Sequence, residues 1–407
     1  MSDLSTDIVI LGGGLVGLTL GVALDAHGVG TVIVDPADPD ATLAAGFDGR
    51  ASAVASAPWR MLEAIGVARR LAGQGCPIAA IKVSDGLTRG LDFDPAPGDG
   101  AVGLMFENRL LRAALRDAAL AAPRIELLMP ATPVSVERDQ AGVRVTLADG
   151  RRIAARLLVG AEGRRSPTRE AAGIRVARWH YDHAATIASV THERPHKGVA
   201  HEIFYPEGPF AILPLTDDAE GRHRSAIVWT VAARHARAML DLPDRAYAAE
   251  VEKRMGGVLG AIGMASPRSS YPLGFHHAAT ITAARLALVG DAAHGIHPIA
   301  GQGLNLGFRD VAAFVEVMVE GARLGLDFGD AQLLARYQRW RSLDTFMVAA
   351  TTDALTRLFG LPGRGPAAIR RFGLGMVQRI APLKQRFMAE ARGETGALPR
   401  LLQGVRV

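Results

Sequence analysis

The order of apolar and polar positions predicts a strand, a helix and a second strand at the beginning of the chain. An apolar run spans Ile8 to Leu11, an uncharged helical stretch continues to Leu24, and Thr31 to Val34 form a second apolar run. Short apolar runs bounded by turn residues are typical of strands buried in a parallel sheet. Residues 107–122 contain neither Gly nor Pro and predict another helix.

Alternation of apolar and polar residues dominates further along and predicts antiparallel strands. Residues 134–138 and 143–147 alternate around a turn at 139–142, the pattern of a hairpin, and residues 157–161 return to the first sheet. Short strands of an antiparallel sheet are then predicted at residues 185–190, 201–205, 210–215 and 225–231. The chain returns to the first domain at residues 285–324, and helical spacing follows from 331 to about 391.

The first apolar run leads into a glycine motif that predicts a dinucleotide site. Gly12 permits a tight turn, Gly14 lets the backbone approach a pyrophosphate, and Gly17 lets the helix pack closely on the strand. The free N–H groups of the helix start, at Leu15 and Val16, face the anion. Asp35 follows the glycines by roughly 20 residues, where a carboxylate binds the adenosine ribose and disfavours a 2′-phosphate. The motif favours FAD or NAD over NADP and does not decide between the first two.

A second motif late in the chain favours FAD. A strand that ends at Gly290 and Asp291 places a carboxylate at the sheet edge, where it suits a polyol chain such as ribityl. Gly301 and Gly303 then open a long helix whose N–H groups can face a flavin. Since no second glycine motif of this type is found, a nicotinamide reductant must bind transiently or come through another protein.

The sequence resembles the class A FAD-dependent aromatic hydroxylases, which share the fold of para-hydroxybenzoate hydroxylase. Within them it is most similar to the ubiquinone-biosynthesis hydroxylases that act on polyprenylated phenols. The resemblance rests on five segments: residues 12–17, 48–50, 107–115, 160–163 and, above all, 297–310. The turn at 160–163 departs from the usual Gly-Ala-Asp-Gly, because Glu162 replaces the Asp.

The resemblance implies a fold and its boundaries. It predicts an α/β protein with a discontinuous Rossmann-like FAD-binding domain at residues 1–176 and 276–330. An antiparallel-sheet substrate domain is inserted at residues 177–275, and a helical C-terminal cap covers 331–407.

The resemblance also implies the cofactor contacts. The helix from Gly301 would direct its dipole at the flavin, and Asp291 would bind the ribityl chain. Arg50 and Asn108 would contact the pyrophosphate and ribityl side, although a surface ion pair for Arg50 and a helix cap for Asn108 remain alternatives. The full set of predicted cofactor contacts is Gly12, Gly14, Leu15, Val16, Gly17, Asp35, Arg50, Asn108, Val134, Asp291, Gly301, Gln302, Gly303, Leu304 and Asn305.

Catalytic and substrate residues follow from the same resemblance. Pro298 is expected against the flavin edge near the oxygen site, and His297 is a candidate for contact with substrate or flavin. No metal site is expected, because His294 and His297 lack a third ligand at suitable spacing. The apolar segment around residues 204–215 is expected to line the substrate pocket through Phe204, Phe210, Ile212 and Pro214.

The expected function is an NAD(P)H- and O2-dependent aromatic-ring monooxygenase. The flavin would form a C4a-hydroperoxide that transfers one oxygen atom to a polyprenylated phenol in ubiquinone biosynthesis, with NADPH or NADH as the reductant. Two alternatives remain: an FAD hydroxylase of a small soluble phenol, and a flavin-bearing, non-catalytic subunit of a quinone-biosynthesis complex.

Composition and charge add a location. The 407 residues are 49% apolar, which excludes a disordered chain, and the single Cys76 fits a reducing compartment. Residues 364–407 carry nine Lys or Arg and two Glu, and Ile369 to Ile380 read as a basic amphipathic helix. We expect a cytoplasmic protein whose C-terminal segment contacts a membrane surface, a quinone-biosynthesis partner or its own domain. Nucleic-acid binding is disfavoured, because no recognition motif accompanies the charge.

Overall fold

The computed structural model describes most of the chain at side-chain level. The described residues are 3–44, 49–88, 90–95, 100–295, 302–342, 345 and 380–407.

The strands of the described residues are numbered here in chain order. They are β1 Asp3–Leu11, β2 Thr31–Val34, β3 Ala51–Ala55, β4 Cys76–Ile78, β5 Ala80–Asp85, β6 Leu91–Phe93, β7 Gly103–Glu107, β8 Ile125–Leu128, β9 Pro133–Arg138, β10 Val143–Leu147, β11 Arg152–Gly160, β12 Val176–His192, β13 Val199–Tyr205, β14 Gly208–Leu215, β15 His223–Ala232, β16 Ile262–Met264, β17 Ser269–Ala278, β18 Thr282–Ala283, β19 Leu286–Leu288 and β20 His294–Gly295.

The helices of the described residues are numbered in the same way, and residues 331–342 are helical as well. They are α1 Leu15–Asp25, α2 Pro39–Leu43, α3 Ser56–Ala64, α4 Asn108–Ala121, α5 Pro167–Ala171, α6 Ala236–Asp241, α7 Asp244–Arg254, α8 Gln302–Arg323 and α9 Ala381–Ala391. None of the helices in the described part of the chain is long and apolar enough to cross a membrane.

The first domain is built on a mainly parallel sheet with the order β18-β19-β11-β1-β2-β8. β1 pairs in parallel with both β11 and β2, and β9 and β10 add a hairpin beside the first half of β11. The last four residues of β1 are buried because helices cover both faces of the sheet. The hairpin that the sequence predicts at residues 134–147 is confirmed.

Helix α8 crosses the centre of this domain. Nearly all of its side chains from Asn305 to Val319 are buried, and it contacts α1, β3 and the turn that follows β19. A helix that is buried almost all round has neighbours on every side. The start of α8 is therefore held rigidly against the carboxyl ends of the parallel strands.

The second domain is a nine-stranded sheet with the order β20-β17-β12-β15-β14-β13-β5-β6, to which β16 is added beside β12. The four antiparallel strands that the alternation predicts lie within β12, β13, β14 and β15. β5 and β6 also belong to this sheet, although the sequence analysis places residues 80–93 in the first domain.

A three-stranded sheet, β3-β7-β4, connects the two domains. Its apolar residues pack on one face of the large sheet and on α9, where Met388 is buried. Cys76 lies in this cluster as a small buried residue, and burial raises the pKa of its thiol to about 11. Arg224 on β15 also pairs with Glu107, with 3.3 Å between Nη2 and Oε2.

Candidate cofactor and substrate site

The turn after β1 has the geometry that the glycine motif predicts. Gly12 has a φ of +111°, in the left-handed region that favours glycine, and its N–H donates to Val34 O at 2.8 Å. A Cβ added at Gly12 would collide with Ala161 O, and one added at Gly17 would collide with Gly12 O. Both glycines are therefore required for β1, α1 and the end of β11 to meet.

Gly14 is different, because a Cβ there would meet no atom within 4 Å in the part of the chain that the structure describes. It is the N-cap of α1, and the first helical bond, from Leu18 N to Gly14 O, is 3.0 Å long. The N–H groups of Leu15 and Val16 precede that bond and have no partner within the helix. An open space in front of free N–H groups at a helix N-terminus fits a pyrophosphate.

Asp35 at the end of β2 is fixed by the same turn. Its Oδ2 accepts from Gly13 N and its Oδ1 accepts from Ala37 N, each at 2.7 Å. Each oxygen retains a lone pair, so the carboxylate can still accept a ribose hydroxyl. Val134 lies on β9 close to this turn, because Ala131 N donates to Asp35 O at 2.8 Å, and its side chain is exposed.

The second turn follows β19 and packs directly against the first. Gly290 has a φ of +59° and begins a short 3₁₀ helix that ends at Ala292. A Cβ on Gly290 would lie 3.1 Å from Val16 Cγ2, and one on Gly307 of α8 would lie 2.7 Å from the same atom. The Val16 side chain thus fills the space between α1, the second turn and α8, and only its backbone faces the open space in front of α1.

A buried ionic cluster holds the second turn. Asp310 on α8 is fully buried and accepts from Gly290 N at 2.9 Å and from His294 Nε2 at 2.6 Å through Oδ2. Its Oδ1 accepts from Arg341 Nε at 2.7 Å. Burial acts to raise the pKa of Asp310, but His294 and Arg341 together hold it below its ordinary value. His294 is therefore a buried residue that supports the second turn.

Asp291 lies at the rim of the second turn and is about half exposed, as a ligand-binding carboxylate must be. Its Oδ2 is 3.3 Å from Arg164 Nε, and its backbone oxygen accepts from His276 Nε2 at 2.7 Å. Burial lowers the pKa of His276 to about 4, so the ring is neutral near pH 7. The exposed carboxylate beside Arg164 is accessible to a ligand, and its contact with a ribityl chain stays a prediction.

Arg169 connects the second turn to the segment after β11, and sequence reasoning missed it. The side chain is fully buried, with Nη1 donating to Ala292 O at 2.9 Å and Nη2 donating to Arg164 O at 3.0 Å. Burial lowers the pKa of the guanidinium. The sequence alone does not show that this arginine, in the first turn of α5, is buried. No sequence signal therefore identifies it as an anchor.

Glu162, the departure from the family pattern, closes the same segment. Its carboxylate accepts from the hydroxyls of Ser166 and Thr168, the second at 2.5 Å, and from Thr168 N at 3.3 Å. Ser166 is in turn the N-cap of α5, and accepts from Arg169 N. Glu162 therefore holds the start of α5, which defines the contact that the sequence left in doubt.

Two asparagines fasten β3 to the helices around the site. Asn305 accepts from Ala55 N and donates to Ala53 O, both at 2.9 Å. Asn108 is the first residue of α4 and accepts from Ser52 Oγ at 2.7 Å. The N-cap of α4 is Glu107, so the helix-cap alternative for Asn108 is wrong. The two amides hold the strand that follows Arg50.

The other predicted cofactor residues lie around this opening. Arg50 is exposed and lies near Tyr271, whose pKa is raised by burial and lowered to a smaller extent by Arg50 and Arg164. Gln302, Gly303 and Leu304 form the first turn of α8, and a Cβ at Gly303 would meet no atom of a described residue within 4 Å. Gly301, Pro298 and His297 lie outside the described residues.

The four predicted substrate residues lie on opposite faces of the second sheet. Phe204 lies on the face that turns toward the first domain. The register of β13 with β14, and of β14 with β15, shows which side chains share this face. Phe210 and Ile212 are fully buried on the other face, in the core that α7 covers, and Pro214 shares their face by alternation. These three pack away from the first domain because successive strand residues point to opposite sides.

The fold and the site together define a two-domain flavoprotein. Two adjoining turns at the carboxyl edge of a parallel sheet each carry a carboxylate, and open glycines lie at the starts of α1 and α8; together they fit the two halves of FAD. The family model described as "FAD binding domain" matches residues 5–345, and the chain belongs to this family. Its cofactor is FAD.

Comparison with characterised proteins adds two relatives of nearly full length. The chain is 46% identical to ubiquinone hydroxylase UbiL of Rhodospirillum rubrum, over 99% of this chain and 94% of that one. It is 32% identical to 3-demethoxyubiquinol 3-hydroxylase of Escherichia coli, over 97% of this chain and 100% of that one. Among solved structures, p-nitrophenol 4-monooxygenase PnpA of Pseudomonas putida has the same fold, with a TM-score of 0.80, 16% identity and coverage of 98% and 100%.

Proposed function

We propose that the protein is an FAD-dependent monooxygenase that hydroxylates the aromatic ring of a polyprenylated phenol in ubiquinone biosynthesis. The observation that carries the proposal is full-length similarity to two ubiquinone hydroxylases in a chain that retains both FAD turns. NADPH or NADH would supply the electrons and O2 the oxygen atom.

The residues of the chain bind and orient the cofactor. The free N–H groups at the start of α1 would hold the pyrophosphate, Asp35 the adenosine ribose and Asp291 the ribityl chain. The positive end of α8 at Gly303 would face the flavin ring and stabilise negative charge there. When bound and reduced, the flavin supplies the activated oxygen, so the protein chiefly positions the ring and excludes water.

The sheet face beside the flavin supports an apolar substrate. Glu202, Ala211, Val228 and Ile187 form one cross-strand row on this face. The row contains no cation that could bind the carboxylate of a small aromatic acid, and its small and branched residues suit a prenyl chain. This lining favours a prenylated phenol over the small soluble phenol of the alternative hypothesis.

We also propose that the C-terminal region meets a membrane surface, where such a substrate resides. Ile380, just before α9, and Phe387, within it, are large apolar residues that each remain 38% exposed. Lys384 and Arg386 lie between them and add positive charge. Ile369 to Gln378 and Arg379 lie outside the described residues. Salt-sensitive sedimentation with anionic liposomes, lost in Lys384→Glu/Arg386→Glu, is the expected result.

Quinone analysis of a deletion strain tests the main proposal. The strain should lose ubiquinone and accumulate a prenylated phenol that lacks one ring hydroxyl. The wild-type gene should restore the quinone, and Asp291→Ala should not, although the variant protein is present.

Two outcomes would contradict the proposal. Unchanged quinone in the deletion strain would remove the pathway assignment. Full restoration by an Asp291→Ala protein that contains no FAD would favour the non-catalytic subunit instead.

A further inference from the structure

Glu202 on β13 carries a largely buried carboxyl group that has no partner among the described residues. It is only 9% exposed, and it forms no hydrogen bond or ion pair with any residue that the structure describes. Its neighbours on the two adjacent strands are Val83 on β5 and Ala211 on β14, and Val228 and Ile187 continue the row. A polar group in such apolar surroundings is costly unless something hydrogen-bonds to it.

The side chain lies on the face of the sheet that turns toward the flavin domain. Ala200, two residues earlier on β13, packs in the cluster with β4, β7 and α9, whereas Ile203 packs in the core under α7. Alternation along the strand places Glu202 with Ala200 and Phe204. The carboxyl is therefore on the side from which a ring bound against the flavin would approach.

The charged groups around Glu202 have partners of their own. Lys82 on β5 lies on the opposite face of the sheet, and its Nζ is 3.9 Å from Oδ1 of Asp92 on β6. Asp85 on β5 shares the face of Phe204 and has another interaction. On β15, Arg224 is paired with Glu107. Burial is the cause that raises the pKa of Glu202, to about 8, so the carboxyl is mainly protonated at neutral pH.

A protonated carboxyl offers one hydrogen-bond donor and one acceptor. A phenol hydroxyl can accept from the first and donate to the second. An aliphatic or prenyl chain has no such group to offer, and an ether oxygen can only accept. The hydrogen-bonding capacity of Glu202 thus matches a ring that carries a free hydroxyl.

We propose that Glu202 binds the phenolic hydroxyl of the substrate and so orients the ring beneath the flavin. This inference rests on the proposed function, since it assigns a residue to the substrate of that reaction. It makes Glu202 a determinant of specificity that distinguishes a free hydroxyl from its methyl ether, within a pocket that is otherwise apolar.

The test compares Glu202→Leu and Glu202→Gln with wild type and with Glu250→Gln, a control on α7 at the opposite face of the sheet. The substrates are ortho-geranylphenol and its O-methyl ether, in detergent. Each FAD-loaded protein is assayed for KM, for the fraction of NAD(P)H oxidised that yields hydroxylated product, and for its thermal unfolding midpoint.

We expect Glu202→Leu to raise the KM for the phenol about ten- to a hundredfold and to lower coupling, because a buried hydroxyl is left without a partner. The preference for the phenol over its ether should disappear. The unfolding midpoint should stay equal or rise, since an unpartnered polar group has been removed. A residue that only supported the fold would lower stability and activity together.

Glu202→Gln should retain much of the binding and change the pH profile. The KM of wild type should rise as the pH passes through about 8, because an apolar ring then covers an ionised carboxylate. The KM of Glu202→Gln should stay flat across that range, and Glu250→Gln should match wild type throughout.

The outcomes separate the two proposals. If wild type hydroxylates the phenol and Glu202→Leu keeps the wild-type KM, coupling and ether discrimination, the role of Glu202 is wrong and the function stands. If wild type neither hydroxylates the phenol nor changes its flavin absorbance on titration with it, the proposed function fails and the role of Glu202 fails with it.

Discussion

The turn after β1 and the turn after β19 lie against each other across Val16, yet different interactions hold them. In the first, Asp35 binds the N–H groups of Gly13 and Ala37 and also faces the site. In the second, Asp310 is buried and binds Gly290 N, while Asp291 stands at the rim. In the first turn, Asp35 alone both supports the backbone and faces the site. In the second turn, Asp310 supports the backbone and Asp291 stands at the rim.

This difference has a consequence for how each turn tolerates change. A turn whose only carboxylate both supports the backbone and binds the ligand loses both when that side chain is lost. A turn with separate carboxylates can lose the ligand contact without losing its shape.

Asp310→Asn should destabilise the protein by about 3–5 kcal/mol, because the buried Arg341 loses the charge that compensates its burial and His294 loses a charged acceptor. Chemical unfolding of the apoprotein measures the loss, and FAD content should fall with it. Because the pKa of Asp310 is held below its ordinary value of 3.8, wild type should lose this contribution only as the pH falls below that value.

The matched control is Glu137→Gln, which removes an exposed ion pair with Arg144 in the same domain. It should change stability by less than about 1 kcal/mol. Equal effects from the two substitutions would mean that the buried cluster does not support the second turn.

Asp291→Ala and Asp35→Ala separate the two tasks. Asp291→Ala should lower FAD affinity about ten- to a hundredfold, or about 1.5–3 kcal/mol, with little change in apoprotein stability. Asp35→Ala should lower affinity and also destabilise the apoprotein by about 1–2 kcal/mol, because two backbone N–H groups lose their acceptor. Fluorescence titration with FAD and urea unfolding measure the two quantities. Parallel losses of both quantities in both variants would abolish the distinction between the turns.

Substitutions of the glycines separate support of the backbone from space for the cofactor in the same way. Gly17→Ala should destabilise the apoprotein by about 1–3 kcal/mol, because the new Cβ collides with Gly12 O. Gly14→Ala and Gly303→Ala should change apoprotein stability by no more than about 1 kcal/mol and still weaken FAD binding. Wild-type FAD affinity in both open-glycine variants would show that the cofactor does not occupy those spaces.

Glu162→Asp should have the smallest effect. The usual residue of the family is one methylene shorter, so its hydrogen bonds to Ser166 and Thr168 would lengthen and cost about 0.5–1.5 kcal/mol of stability. FAD affinity should stay within about threefold of wild type, since the carboxylate serves α5. A larger loss of affinity than of stability would assign Glu162 to the cofactor after all.

The sequence predicts what is local along the chain. The first turn is readable because Gly12, Gly14, Gly17 and Asp35 form a compact motif whose roles depend on one strand, one helix and one further strand. The hairpin and the antiparallel strands are readable from alternation. The family resemblance extends the prediction of cofactor contacts to Asp291 and to the start of α8.

The remaining features depend on contacts that spacing does not encode. Asp310 pairs with His294, 16 residues away, and with Arg341, 31 residues away, and Arg169 donates to Ala292 O, 123 residues away along the chain. Phe210 and Ile212 satisfy the apolar pattern, but the face of a strand that meets the cofactor is set by tertiary packing. The placements of His297 and Pro298 remain predictions. The burial of Glu202 cannot be read from the sequence, so the sequence pattern does not indicate a role for it.

Val16 acts as a spacer of fixed thickness between the turn of Gly12–Gly17 and the turn of Gly290. Because it also fills the gap left by Gly307, a change in its volume would alter the separation of the two turns, and with it the reach between phosphates and ring that a dinucleotide demands. We therefore expect positions 16, 290 and 307 to covary among homologues, with any larger residue at one matched by a smaller residue at another.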